Sequence, residues 1–240
     1  MKINDETTNV LANSRIEDLR LYLPPGQLDR KLYVDVNKVL EAIGGKWNRK
    51  EKAHLFETPP ADILEEILLT GEYTNQRKEY DFFETPEALA KQLVDMAGII
   101  SGESVLEPSA GRGAIAKHMP GCDCIELEEK NRKYLYDEGF YLVGDDFLLC
   151  QQKYDVIVAN PPFSKQKDID HVTHMINLAN RQVVSIVSAS ILFRDNKKTT
   201  AFRELVDSLG GEITPLPDKS FSESGTNVRT CVVCVDTRRC

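Results

Sequence analysis

No run in the chain approaches the roughly 20 apolar residues needed to cross a bilayer. The opening Met1-Lys2-Ile3-Asn4-Asp5-Glu6 has no hydrophobic signal core. A cytoplasmic protein with no membrane partner is therefore expected. Positive charge is also scarce, since 30 Lys and Arg face 38 Asp and Glu for a formal net charge of -8. That balance excludes a protein that coats nucleic acid through its overall field, and leaves only a local basic patch for such contact. Internal repeats and low-complexity tracts are missing, which excludes solenoids and long disordered arms. A metal-ligand pattern is missing too. Cys231 and Cys234 form one C-x-x-C, but no second half stands at ligand spacing. On an extended strand they would face opposite sides. Cys122 and Cys124, like this pair, read as small buried residues, and no metal is expected.

What is present falls into two parts. Residues 1–75 read as a small, mainly helical N-terminal domain, and residues 76–240 as a larger α/β domain. Residues 1–15 are polar and read as frayed. Val34, Val36, Val39, Leu40 and Ile43 fit one helix face, closed by Gly44-Gly45. A second helix runs from Ala61 to Leu69 after Pro59-Pro60, and Gly71 to Tyr80 reads as a linker.

Beyond the linker, short β-rich runs alternate with helical segments. The strands are expected at Ser104–Leu106, Cys122–Leu127, Tyr141–Val143, Tyr154–Ala159, Val183–Val187, Glu212–Pro215 and Val228–Val235. Helices are expected to begin near Pro86, Gly113, Glu129, Asp168 and Thr199. Such alternation implies a mostly parallel sheet covered on both faces. The last two strands have no helix between them, so the final strand should enter antiparallel.

Two runs carry the chemistry. Val105-Leu106-Glu107-Pro108-Ser109-Ala110-Gly111-Arg112-Gly113 follows the first strand and is expected to open a helix. Its glycines let backbone turn sharply and approach a ligand closely. Tyr154 to Ala159 reads as a buried strand leading into Asn160-Pro161-Pro162-Phe163. The Asn160 side-chain oxygen and the Pro161 carbonyl are two acceptors side by side after the strand, able to offset positive charge that grows on an N–H donor held between them. Pro161 and Pro162 stiffen the loop, and Phe163 offers a flat stacking surface. The bland alternative for this tetrapeptide is a simple turn after a strand.

Together these runs resemble the Rossmann-like S-adenosylmethionine methyltransferases that act on amino groups. The first looks like motif I and the second like motif IV. Phe82-Phe83-Glu84-Thr85-Pro86 precedes motif I and looks like motif X, the order found in gamma-class adenine-N6 DNA methyltransferases, here of a phage or prophage type. The resemblance implies an S-adenosyl-L-methionine cofactor and methyl transfer to adenine N6 in flipped-out DNA by direct in-line attack. It places Thr85, Pro86 and the loop of Glu107, Pro108, Ser109, Ala110, Gly111 and Gly113 around the methionine part of the cofactor. Thr85-Pro86 also reads as a plain helix start. Glu126, at the end of the second strand, suits a ribose diol, and could equally open an acidic helix start. Leu127 would pack on the cofactor adenine. Gly144-Asp145-Asp146-Phe147 resembles motif III, and Asp146 is favoured over Asp145 because an aromatic follows it. Asn160 also belongs to the cofactor-binding set. Phe221-Ser222-Glu223-Ser224-Gly225-Thr226-Asn227 resembles motif VIII, so Phe221 and Phe163 would clamp the base from two sides; alternatively Phe221 plugs a loop. None of the six cysteines lies in a nucleophile motif like that of cytosine-C5 enzymes.

Nothing after the last strand resembles the large target-recognition domain of many gamma-class enzymes. DNA contact is therefore expected from the N-terminal run containing Lys46, Trp47, Arg49, Lys50 and Lys52, where cations suit phosphates and the only Trp could stack. The alternative is a solvated basic helix start with Trp47 in the small core. RNA guanine N2, a protein glutamine amide, or a catalytically silent binding subunit are the competing functions.

Overall fold

A computed structural model describes residues 2–72, 83–224 and 228–239. The 75/76 domain boundary, most of the expected linker, Phe82, Gly225, Thr226 and Asn227 lie outside the described residues.

The N-terminal part begins with helix α1 (Asp5–Ala12), capped by Asn4, whose Oδ1 accepts from the Thr7 amide at 2.8 Å. Residues expected to be frayed are thus ordered. An Asn cap and acidic residues in the first turn start this helix, and Val10 and Leu11 bury its inner face. Strands β1 (Arg15–Glu17) and β2 (Arg20–Tyr22) follow, then α2 (Arg30–Ala42), β3 (Lys46–Asn48), β4 (Ala53–Leu55) and α3 (Ala61–Thr70). Helices hold most of the regular residues, as expected. The four short strands were not foreseen. They form an antiparallel sheet in the order β1-β2-β4-β3. Each spans three residues, too few to show the alternation that marks a strand. Leu11, Leu21, Val36, Leu40 and Ile67 fill the core between sheet and helices.

The larger part runs α4 (Glu87–Ala97), β5 (Val105–Glu107), β6 (Asp123–Ile125), α5 (Glu129–Asp137), β7 (Tyr141–Gly144), β8 (Tyr154–Ala159), α6 (Lys167–Leu178), β9 (Ala179–Ser188), α7 (Lys197–Ser208), β10 (Glu212–Pro215) and β11 (Thr230–Asp236). All seven expected strands join one sheet, in the order β10-β11-β9-β8-β5-β6-β7. The run from β9 through β7 is parallel, and β11 is antiparallel to both its neighbours. Chain order reverses between β8 and β5, and open α/β sheets bind ligands at the strand ends beside such a reversal. Along β8, Val156 and Val158 face one core while Ile157 and Ala159 face the other. Burial on both faces explains why this strand is apolar throughout rather than alternating.

One expected helix does not form. After Gly113 only a single 3₁₀ turn, Ala116–His118, follows. Pro120 is the cause. It disfavours helical geometry at the residue before it, and Met119 is accordingly extended at φ -121, ψ 83.

The two parts are tied by polar contacts. Arg194 pairs with Glu65 of α3 at 2.6 Å, and Arg229 with Asp5 of α1 at 2.7 Å. Asn13 donates to the Phe193 carbonyl at 2.8 Å. If α1 is integral to the fold, Leu11→Ala lowers stability by about 2–5 kcal/mol in urea unfolding. A loss within experimental error would show that residues 5–12 do not pack as described.

Candidate active site

A cleft of about 700 Å³ opens where β5, β6, β7 and β8 end. The segments that follow those four strands line it, together with Phe83, Glu84 and Thr85 ahead of α4. Its volume falls in the range of small-molecule sites.

The glycine loop after β5 forms one wall through Glu107, Pro108, Ser109, Ala110 and Gly111. Gly111 and Gly113 have φ of 54° and 77°, a conformation that disfavours a side chain. Gly113 does not line the cleft. A Cβ there would stand 2.5 Å from the Phe140 ring, so this glycine lets the loop close against the α5–β7 connection. Glu107 is buried, and its carboxylate accepts from the Ala116 amide at 2.6 Å. Burial pushes its pKa well above the usual carboxylate range, and the neighbouring Cys124 and Glu126 add to the shift.

Glu126 accepts from the Gly111 amide at 2.7 Å and from the Glu128 amide at 2.8 Å. It therefore fastens the glycine loop to the end of β6. Two of its roughly four acceptor positions remain for a ligand. Leu127 beside it lines the cleft while 70% exposed, an apolar surface available to a flat ring. After β7, Asp145 and Asp146 both line the cleft. Asp146 caps the next turn by accepting from the Leu148 amide at 2.9 Å, whereas Asp145 leans toward Arg132 at 3.8 Å. Phe147 is buried between two rings of α6, His171 at 5.7 Å and His174 at 4.9 Å.

Asn160, after β8, is fixed by its own amide. Its Nδ2 donates to the Phe83 carbonyl at 3.1 Å and to the Thr85 hydroxyl at 3.0 Å. The Phe83 carbonyl, which can only accept, determines which way the amide faces. Its Oδ1 is left buried with no hydrogen-bond partner. Thr85 thus serves Asn160, and the cap position of α4 falls to Pro86, which makes no side-chain cap bond and does not line the cleft. Pro161, Pro162 and Phe163 line the cleft beside Asn160. Phe163 is nearly covered and stacks on Phe83 with ring centres 6.5 Å apart.

One expectation needs correction. Phe221 has no face on the cleft; it is fully buried in the core that also holds Phe163, so the two-sided clamp is not formed in this structure. The ring packs instead with the apolar side chains of that core. Lys46, Trp47, Arg49, Lys50 and Lys52 lie on the β3–β4 hairpin, not at a helix start. All five are exposed, and Trp47 is 45% exposed at the sheet edge against the buried His54 ring, so it does not fill the core. The hairpin does not line the cleft.

Arg112, Lys167 and His171 line the cleft and were missed. A lone His or Lys early in an amphipathic helix carries no local signal. For Lys167 and His171 only the position of α6 after Asn160-Pro161-Pro162-Phe163 could have pointed to them, whereas Arg112 stands inside the glycine run itself.

No protein-family model and no curated protein matches the chain. Solved structures do. A modification subunit of a putative type I restriction enzyme from Vibrio vulnificus YJ016 aligns at TM-score 0.54 and 16% identity, over 67% of this chain and 45% of that one. The M protein of the EcoKI type I restriction enzyme aligns at TM-score 0.54 and 15% identity, over 98% of this chain and 57% of that one. A dimethyladenosine transferase from Plasmodium falciparum aligns at TM-score 0.50 and 17% identity, over 65% of this chain and 63% of that one. The chain therefore spans about half the length of the two restriction-enzyme subunits. Its fold is the Rossmann-like methyltransferase fold.

The start of α6 holds one further charged group. Asp168 is buried, and accepts from the Ser188 amide at 2.8 Å and the Ile169 amide at 3.0 Å, joining α6 to the end of β9. Burial raises its pKa from 3.8 to about 7. The folded protein thus holds this proton more tightly than the unfolded chain does. Its contribution to stability is greatest in acid, falls as pH rises from 3.8 to about 7, and is flat above. Asp168→Asn should flatten that slope in urea midpoints measured across the interval. An unchanged slope would contradict the burial.

Proposed function

We propose that this protein is an S-adenosylmethionine-dependent methyltransferase acting on an exocyclic amine, with adenine N6 in DNA as its target. The observation that carries the reading is the buried Asn160 Oδ1, an acceptor left free by two anchoring bonds in a residue that lines the cleft. An unpaired buried acceptor costs about 1–3 kcal/mol, a cost relieved when an amine N–H arrives.

The residues around the cleft fit the cofactor. Glu126 has acceptor capacity for a ribose diol, Leu127 offers an apolar face for a purine, and Asp146 can accept from the purine's amino group. The loop from Glu107 to Gly111 and the Thr85 segment are the assigned surroundings of the methionine part. When bound, the cofactor supplies an electrophilic methyl group on a sulfonium sulfur. The protein's own task is to hold the acceptor amine. Asn160 Oδ1 takes one N–H, the Pro161 carbonyl takes the other, and Phe163 bears on the ring. That arrangement favours a pyramidal nitrogen and offsets the positive charge that develops on it. No side chain needs to act as a covalent nucleophile.

Adenine is favoured by the resemblance of Asn160-Pro161-Pro162-Phe163 and Thr85 to the gamma-class pattern. The name of one protein with the same fold, a dimethyladenosine transferase, is in keeping with it. DNA contact is assigned to the exposed hairpin of Lys46, Trp47, Arg49, Lys50 and Lys52, a cationic patch with a stacking ring on an otherwise acidic chain.

Expression in a host lacking adenine methylation, followed by mapping of modified bases, tests the function. N6-methyladenine at defined sites is the expected result. Methyl groups found on RNA guanine or protein glutamine, with none on DNA, would replace the DNA reading. Asn160→Ala should lower transfer by about 10²-fold or more, the size of losing one preorganised acceptor, while leaving cofactor affinity within a few-fold; calorimetry alongside a radiolabel assay separates the two. Trp47→Ala should weaken DNA binding about tenfold, as loss of one stacked base does, without changing cofactor affinity. Unchanged DNA affinity would free the hairpin from this role.

A further inference from the structure

His171 lies early in α6, on the cleft wall beside Phe147. Its Nδ1 is 2.9 Å from the Lys167 carbonyl. A carbonyl only accepts, so Nδ1 carries the ring proton. In the neutral ring Nε2 is then an acceptor. Among the described residues no protein donor meets Nε2, and His171 is only partly buried, so this atom remains available on a residue that borders the cleft. Burial favours the neutral ring by pushing its pKa below the ordinary value of 6.5. The charged groups facing it are Lys167 and Asp170 on α6, and Asp146 on the turn that follows β7.

The neighbouring ring is held firmly. His174, one turn further along α6, packs on Phe147 and donates through Nε2 to the Cys150 carbonyl at 2.9 Å. Phe147 is thereby braced between the two histidines. Each histidine spends its one N–H on a backbone carbonyl, and His171 differs in lining the cleft. His171 packs on Phe147, Asp146 directly precedes Phe147 in the chain, and all three residues line the cleft.

We infer that His171 is a specificity residue of the cofactor site, its Nε2 accepting one N–H of the cofactor purine's exocyclic amino group while Asp146 accepts the other. The inference rests on the methyltransferase reading. An amino group offers two donors, and the wall offers two acceptors. A 6-oxo purine would set its own oxygen lone pairs against both, so the site selects adenine over hypoxanthine.

Calorimetric titration with S-adenosylhomocysteine and with its inosine counterpart tests this. Wild-type protein should bind the adenosyl compound far more tightly. His171→Phe keeps a ring against Phe147 but removes the acceptor. It should cut the preference for adenosyl over inosyl about tenfold, the size of one hydrogen bond. His171→Gln, which restores an acceptor, should recover part of it. Adenosyl affinity should fall in the wild type in acid, once pH is below the lowered pKa of the ring, because protonation turns Nε2 into a donor. The Gln variant should lack that fall. An unchanged adenosyl-to-inosyl ratio in His171→Phe, or parallel pH profiles for wild type and His171→Gln, overturns the role of His171. Failure of the wild type to bind either compound overturns the methyltransferase reading itself, and this proposal with it.

Discussion

The Asn160 amide joins two distant parts of the chain. Its nitrogen reaches back some 75 residues to the Phe83 carbonyl and the Thr85 hydroxyl, and it sits at the end of β8, the central strand of the sheet. A side-chain amide has one donor end and one acceptor end, so filling the donor end dictates what the other end presents. Here it presents a buried oxygen with no partner. The loop before α4, the stiff Pro161-Pro162 turn and the stacking of Phe163 on Phe83 all serve to hold that oxygen in one place. A site built in this way is preorganised before any ligand arrives, and electrostatic preorganisation is where enzymes gain most of their rate.

Acidic groups around the cleft do structural work first. Glu126 clips the glycine loop to β6, Glu107 takes an amide of the turn beyond it, and Asp168 sews α6 to β9. Burial raises the pKa of Glu107 and Asp168 because each carboxyl is removed from water. The N-terminal part is attached by Arg194 with Glu65 and by Arg229 with Asp5, and carries its exposed basic hairpin on a separate small sheet.

Much of this was legible in the residues, for identifiable reasons. The seven strands and their antiparallel last member followed from short apolar runs separated by helical patterns. The cleft was marked by glycines and by Asn160-Pro161-Pro162-Phe163 at strand ends, because ligand chemistry in this fold gathers there. What escaped was either too short or too distant. Strands of three residues in the N-terminal sheet show no period, and the helix expected after Gly113 is cut short by Pro120, which holds Met119 out of helical geometry. Phe221 was placed at the cleft by its motif, yet the core holds its ring. The anchoring of Asn160 by Thr85 is a contact between segments that no local pattern encodes, and His171 became visible only once α6 was laid against the turn after β7.

The free oxygen of Asn160 is the point on which the account stands. A crystal structure with S-adenosylhomocysteine and an adenine-containing oligonucleotide would place the acceptor base directly. The account predicts an adenine N6 within hydrogen-bond distance of Asn160 Oδ1 and of the Pro161 carbonyl, with the anchoring bonds to Phe83 and Thr85 kept. An amide turned the other way, with Nδ2 toward the base, or a base bound outside the cleft, would contradict it.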